Sequence, residues 1–329
     1  MALEVYGLRI WIEGDWPEVV EAVRLDFEWF ERPGDVGGGA DVRVTVERRP
    51  PDYDSQGDLT SAFVTPRNVV YRAGRRTAID YFGRALAVLE RGSEALCVQG
   101  EDAHLVHEAV YLYVLSRVGE HLDARGLPRL HAVGLAGREG AVAVVLPSGG
   151  GKSTLALRAL GDDAVTLLSE DSPLLDRRGL VHPFPLRIGV NASDAALLSP
   201  GSFRRIERME FHPKVVLALS AFADRIERRP QPLRHLVLGR RSLGRTASLE
   251  PVGRRAAIGP LLRECVVGVG LYQGMEFVLQ RGTRDVAAKA GTAGGRALCA
   301  SACLRRARVW RLTLGRDHER NWQALRRLL

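Results

Sequence analysis

Residues 141–160, AVAVVLPSGGGKSTLALRAL, constrain this chain more than any other stretch. Ala141–Leu146 is an apolar run of strand length, and Gly149, Gly150 and Gly151 follow it, where the backbone can turn without Cβ obstruction. Lys152-Ser153 then opens an amphipathic helix. A strand that stops in a glycine-rich turn and restarts as a helix converges backbone N–H groups at the positive end of a helix dipole. Phosphate binds in such a place, and the strand-to-helix alternation points to an α/β class.

The run matches three of the four fixed positions of G-x-x-x-x-G-K-[ST]; Leu146-Pro147 stands where the first glycine would be, so the first turn must be built differently. Ser148, Gly149, Gly150, Gly151, Lys152, Ser153 and Thr154 are the expected phosphate contacts. Lys152 would reach the outer phosphates as a point charge, and the Ser153 hydroxyl would face Mg²⁺. Composition adds weight to the lysine. Only three of the 47 basic residues are lysine (Lys152, Lys214, Lys289), and a compact ammonium does what a planar guanidinium cannot. Lys214 is a secondary candidate, and Lys289 reads as a helix-surface residue.

Two further signals flank the loop. Downstream, VTLLSED ends a predicted strand in Glu170 and Asp171, and a carboxylate there can hold Mg²⁺ or take a proton from an attacking hydroxyl. Upstream, the neighbouring predicted strand carries His131, able to contact phosphate or tune the carboxylate. Singly, each has a plain structural alternative: a satisfied buried histidine and a turn. Together they favour phosphoryl transfer over binding alone.

Residues 130–171, LHAVGLAGREGAVAVVLPSGGGKSTLALRALGDDAVTLLSED, resemble bacterial HPr serine kinase/phosphorylase and its kinase-only relatives. These share a nucleotide-binding core with ATP-dependent phosphoenolpyruvate carboxykinase. The resemblance implies that Lys152 binds phosphate, Ser153 ligates Mg²⁺, Asp171 accepts the proton of the substrate hydroxyl and His131 assists. Glu170-Asp171 stands where the family usually has two aspartates. The family's later Mg²⁺-binding Glu has no counterpart between Glu170 and Glu207, so it is either replaced, by Asp176 or Asp194, or absent. The stretch LSEDSPLLDRRGLVHPFPLRIGV is also similar to HPr-kinase-related proteins of lasso-peptide biosynthesis, some of which phosphorylate a precursor peptide.

Other classes are excluded by absence. The chain has no LSGGQ-type signature, no N-K-x-D, no H-R-D and no D-F-G. His104, His107 and Glu108 fall in an H-x-x-H-E order that is not a zinc motif, and read as an exposed helix face. Cys299 and Cys303 lack further ligands nearby and suit close helix packing. No uncharged run approaches the ~20 apolar residues of a membrane span. The alternating, Glu4-bearing start is not a signal peptide, and four cysteines suit a reducing cytoplasm.

The formal charge of +8 conceals an acidic front, a neutral middle holding the loop, and a basic last third. Residues 225–263 carry ten arginines, without the aromatics or recognition helix that nucleic acid would require. They form either a solvated face or a docking surface for an acidic or phosphate-bearing acceptor. Arg263, Arg281 and Arg284 are candidates to neutralise transition-state charge.

The expected architecture is an α/β P-loop nucleotide-binding core of the HPr kinase/phosphoenolpyruvate carboxykinase type, residues 126–329. An N-terminal α+β module for recognition or homo-oligomerisation, residues 1–125, precedes it. Predicted strands lie at Leu3–Glu13, Asp41–Arg48, Asn68–Tyr71, Thr77–Tyr81 and Ala95–Val98, and a helix at Glu101–Arg117. The expected activity is ATP- and Mg²⁺-dependent transfer of a γ-phosphoryl group to a hydroxyl, with a Ser of a peptide or small protein as acceptor. A non-catalytic nucleotide-binding partner in peptide biosynthesis and a small-molecule kinase stay open as alternatives.

Overall fold

The structure is a computed structural model that describes residues 1–34, 39–190, 203–206, 214–268, 275–278 and 283–329. It is mixed α/β, with parallel and antiparallel strand pairs. The chain divides into two compact units. The first comprises Met1–Val118, Phe203–Val216 and Gly274–Leu279; the second comprises Gly119–Ser202, Leu217–Gln273 and Gln280–Leu329.

Among the described residues, the first unit is built on a nine-stranded sheet. Its strands Leu8–Gly14, Val42–Arg48 and Ala95–Gly100 run parallel to one another, and the pairs on either side of them are antiparallel. The predicted strand Leu3–Glu13 is two strands, Ala2–Val5 and Leu8–Gly14, folded back in the register Val5↔Leu8. Tyr6 and Gly7 form the two-residue turn, both at positive φ, as a tight hairpin requires. Pro17 starts the helix Pro17–Asp26, where its missing N–H costs nothing.

The helix Ala103–Ala124 is longer than predicted and mostly buried. His107 does not lie on an exposed face. It is buried, with Nε2 2.9 Å from Asp26 Oδ2. The other Asp26 oxygen accepts from Arg204. A second buried cluster in this unit surrounds Glu276, whose carboxylate accepts from Asn68 at 3.2 Å and Arg67 at 3.4 Å. Phe277 packs edge-on against Tyr113, and its carbonyl accepts from Arg91 and Arg117, each at 3.0 Å.

The second unit holds the sheet that carries the loop. Strand Gly140–Val145 lies between Val133–Gly137, antiparallel to it, and Gln231–Arg241, parallel to it. Thr166–Ser169 flanks Val133–Gly137, and Arg308–Leu314 runs parallel to Gln231–Arg241. Ala141, Ala143, Leu168, Leu236 and Val309 join Cys265, Cys299 and Cys303 in one hydrophobic core. All four cysteines are reduced, and burial pushes the Cys265 thiol up to about 12. Among the described residues no helix is long and apolar enough to cross a membrane.

Candidate phosphate-binding and catalytic site

Strand directions explain why distant residues meet. Thr166–Ser169 and Gly140–Val145 are each antiparallel to the strand between them, so both end at the same sheet edge. His131 precedes Val133–Gly137 and starts from that edge, and Arg240-Arg241 reaches it at the end of a parallel strand. The loop, His131, Glu170-Asp171 and the Arg pair are thereby gathered from four strands.

The loop solves the missing first glycine with a β-turn. Gly150 N–H donates to Pro147 O at 2.9 Å, and Gly149 takes φ +71° at the turn's third position, where glycine is favoured. Leu146 goes inward, fully buried against Gly239, where even a methyl group would come within 2.3 Å of its side chain. Gly151, at φ +106°, turns the chain into the helix Lys152–Leu160. Ser148 and Gly149 are exposed, whereas Ser153 and Thr154 are half-buried at the first helical turn.

Lys152 is 7% exposed, and its ammonium is held inside the loop. It donates to Leu146 O at 3.1 Å, meets His131 Nε2 at 2.8 Å and lies 3.6 Å from Asp171 Oδ1. Asp171 Oδ1 is also 3.3 Å from His131 Nε2, and the Asp171 side chain remains 46% exposed. Ser153 Oγ donates to Glu170 Oε1 at 2.5 Å. The sequence-predicted set of Lys152, Ser153, His131, Glu170 and Asp171 therefore falls in one cluster.

The sequence missed Glu264. It sits on a π-helical turn, Leu262–Val267, closed by the Gly268 N–H donating to Arg263 O at 2.9 Å. Its Oε2 is 2.7 Å from His131 Nδ1, and its Oε1 accepts from Arg263 Nε at 2.6 Å. Burial presses the His131 pKa down, but the hydrogen bond and charge of Asp171, with Glu264 behind, outweigh it and the net direction is up. Burial likewise raises Glu264, and Arg263 and His131 together bring it below the usual carboxylate range. Arg241, one of ten arginines in residues 225–263 and not distinguished by its sequence, donates from its guanidinium to Gly149 O at 3.5 Å.

Other candidates go elsewhere. Asp176 accepts from the backbone of Arg178 and Leu180 and pairs with His182 at 3.0 Å, so it shapes a hairpin. Lys289 pairs with Asp285 on the helix Thr283–Arg306. Asp194 and Arg281, and the side chains of Lys214 and Arg284, lie outside the described residues. Among the described residues no three His, Cys, Asp or Glu side chains are arranged to hold a metal ion.

The sequence matches no protein-family model, and no curated protein matches it.

Proposed function

We propose that this protein is an ATP- and Mg²⁺-dependent kinase that transfers a γ-phosphoryl group to a hydroxyl, with Ser of a peptide or small protein as the acceptor class. Its second unit is, on this proposal, a P-loop core of the HPr kinase/phosphoenolpyruvate carboxykinase type. One observation carries the proposal: the loop lysine, the strand-end Asp171 and His131 lie within 3.6 Å of one another at the edge where the glycine-rich loop meets its helix.

The residues suit a nucleoside triphosphate and its metal. Gly149 leaves open space where a side chain would stand, and a Cβ at Gly151 would meet Leu314 Cδ1 at 4.0 Å, so the backbone can approach phosphate closely. Lys152 supplies a buried positive charge, and Ser153 and Glu170 supply hydroxyl and carboxylate oxygens, the hard donors that Mg²⁺ takes when phosphates and water complete its shell. Magnesium would neutralise phosphate charge, and the protein itself contributes positioning. Lys152 and the loop N–H groups hold the phosphate oxygens. Asp171, partly exposed, orients the acceptor hydroxyl and takes its proton as the acceptor oxygen bonds to the γ-phosphorus. The bond from that phosphorus to the bridging oxygen breaks, and ADP leaves. Arg241, already at the loop, stands where charge on the phosphates can be balanced.

The test uses γ-labelled ATP with a panel of Ser-containing peptides, acidic ones included. Wild-type protein is expected to yield labelled peptide, and Lys152→Ala none. Nucleotide binding without label transfer to any acceptor would overturn the kinase assignment.

A further inference from the structure

Glu264, 4% exposed, is a buried group at the site that phosphoryl transfer does not itself employ. We propose that Glu264 is a positioning residue that acts through His131, fixing the imidazole in its Nδ1–H tautomer so that Nε2 receives Lys152 and does not donate to Asp171. The tautomer assignment stands on geometry alone; its consequence for turnover rests on the kinase proposal.

An ionised carboxylate only accepts hydrogen bonds, so the 2.7 Å contact from Glu264 Oε2 places the proton on His131 Nδ1. The backbone repeats the pairing, because His131 N–H donates to Glu264 O at 3.0 Å. Two elements far apart in sequence are thus clamped at two points. In the neutral ring the lone pair must then lie on Nε2. Two groups compete for that nitrogen with opposite demands. Lys152 Nζ, 2.8 Å away, is a donor only and needs a lone pair; Asp171 Oδ1, 3.3 Å away, needs a proton. The Nδ1–H tautomer settles the competition for Lys152. The opposite tautomer would place a hydrogen bond from Nε2–H on the proposed base, weakening it as a proton acceptor, and would turn an N–H toward the lysine ammonium.

The scaffold holds Glu264 in place. A π turn carries one more residue per hydrogen-bonded ring than an α turn, and such turns recur at functional sites. Here the turn is held by Arg296, whose Nη1 donates to Val266 O at 3.2 Å. Arg296 is itself anchored to Asp123 by two bonds, at 2.8 and 2.5 Å. Glu264 is therefore fixed from behind, and His131 from Glu264, in the manner of a carboxylate that orients a functional histidine.

Glu264→Gln tests this. Arg263 can only donate, so the amide oxygen of Gln will face Arg263 and its NH₂ will face His131 Nδ1. The ring must then accept at Nδ1 and carry its proton on Nε2. With ¹⁵N-labelled histidine, at a pH where the ring is neutral, NMR is expected to report Nδ1–H for His131 in wild type and Nε2–H in Glu264→Gln. Label transfer in Glu264→Gln is expected to lose about 10- to 100-fold in kcat with KM for ATP nearly unchanged. Glu264→Asp, which keeps the charge, should recover part of that loss. In a His131→Ala background, Glu264→Gln should add no further loss, because its route through His131 is gone. An Nε2–H tautomer in the wild-type spectrum would by itself overturn the proposal, even if the variant failed to fold. A full multiplicative loss in the double variant would overturn it too. Wild-type protein that shows Nδ1–H but transfers no phosphoryl group would sink the kinase proposal and leave the tautomer assignment standing.

Discussion

His107 and His131 each meet a buried carboxylate at hydrogen-bond distance, Asp26 at 2.9 Å and Glu264 at 2.7 Å. Beyond that pairing the two differ. Asp26 is fully buried and both meets His107 and accepts from Arg204. Glu264 and His131 instead lead on to Lys152 and to Asp171, which is half exposed at the loop. The first arrangement is a buried carboxylate that ties a helix, a second helix and a short strand within one unit. The second is a chain of contacts that begins in the core and ends at solvent. Burial of a histidine–carboxylate pair does not by itself point to a site; the exposed end at Asp171 and the competing partners of His131 are what support the proposed one.

The largest expected effect that separates the two regions is at the lysine. Lys152→Ala should reduce kcat/KM for label transfer by about 1,000-fold, the scale of removing a preorganised charge from a phosphate site, while the thermal midpoint changes little. Asp26→Asn should do the reverse. It leaves Arg204 partly uncompensated and should cost about 3 kcal/mol of stability, with ATP affinity of the folded protein unchanged, measured by denaturant unfolding and equilibrium binding. A loss of ATP affinity in Asp26→Asn would erase the distinction.

Gly239→Ala ranks next. A methyl group there meets Leu146 at 2.3 Å, at the root of the loop. The expected cost is about 1–3 kcal/mol from overpacking, with weaker nucleotide binding because Leu146 O also accepts from Lys152. The smallest effect is pH dependence. His131 has a raised pKa, so its stabilisation is fully present below about pH 6.5 and is lost as pH rises through the folded value. His235 accepts from Trp310 Nε1 at 3.0 Å, and burial, the leading cause, lowers its pKa. Its contribution has the opposite sign, complete above about pH 6.5 and lost as pH falls from there toward the folded value. Unfolding curves across this range for His131→Asn and His235→Asn should lose opposite slopes.

Much of the site could be read in the sequence because its strongest signals are local. The strand, the glycines and Lys152-Ser153 are contiguous, and Glu170-Asp171 and His131 sit at the ends of adjacent strands. Glu264 is invisible in the same way, since only a turn packed from elsewhere brings it to His131. The hairpin at Tyr6-Gly7 is hard to see because its two-residue turn only shifts the alternation by one residue, from Leu3 and Val5 to Leu8, Ile10 and Ile12. Ala85–Glu90 was overlooked because five of its six residues are buried, so it lacks alternation. His107 is flanked by His104 and Glu108, so it reads as part of an exposed face, although the helix around it is buried on nearly every side.

The most direct test of the central claim compares wild type with Asp171→Asn under γ-labelled ATP and a Ser-containing acceptor peptide. Removing the proposed proton acceptor should lower transfer by about 100-fold with ATP affinity preserved. Wild-type transfer rates in a folded Asp171→Asn protein would contradict the account.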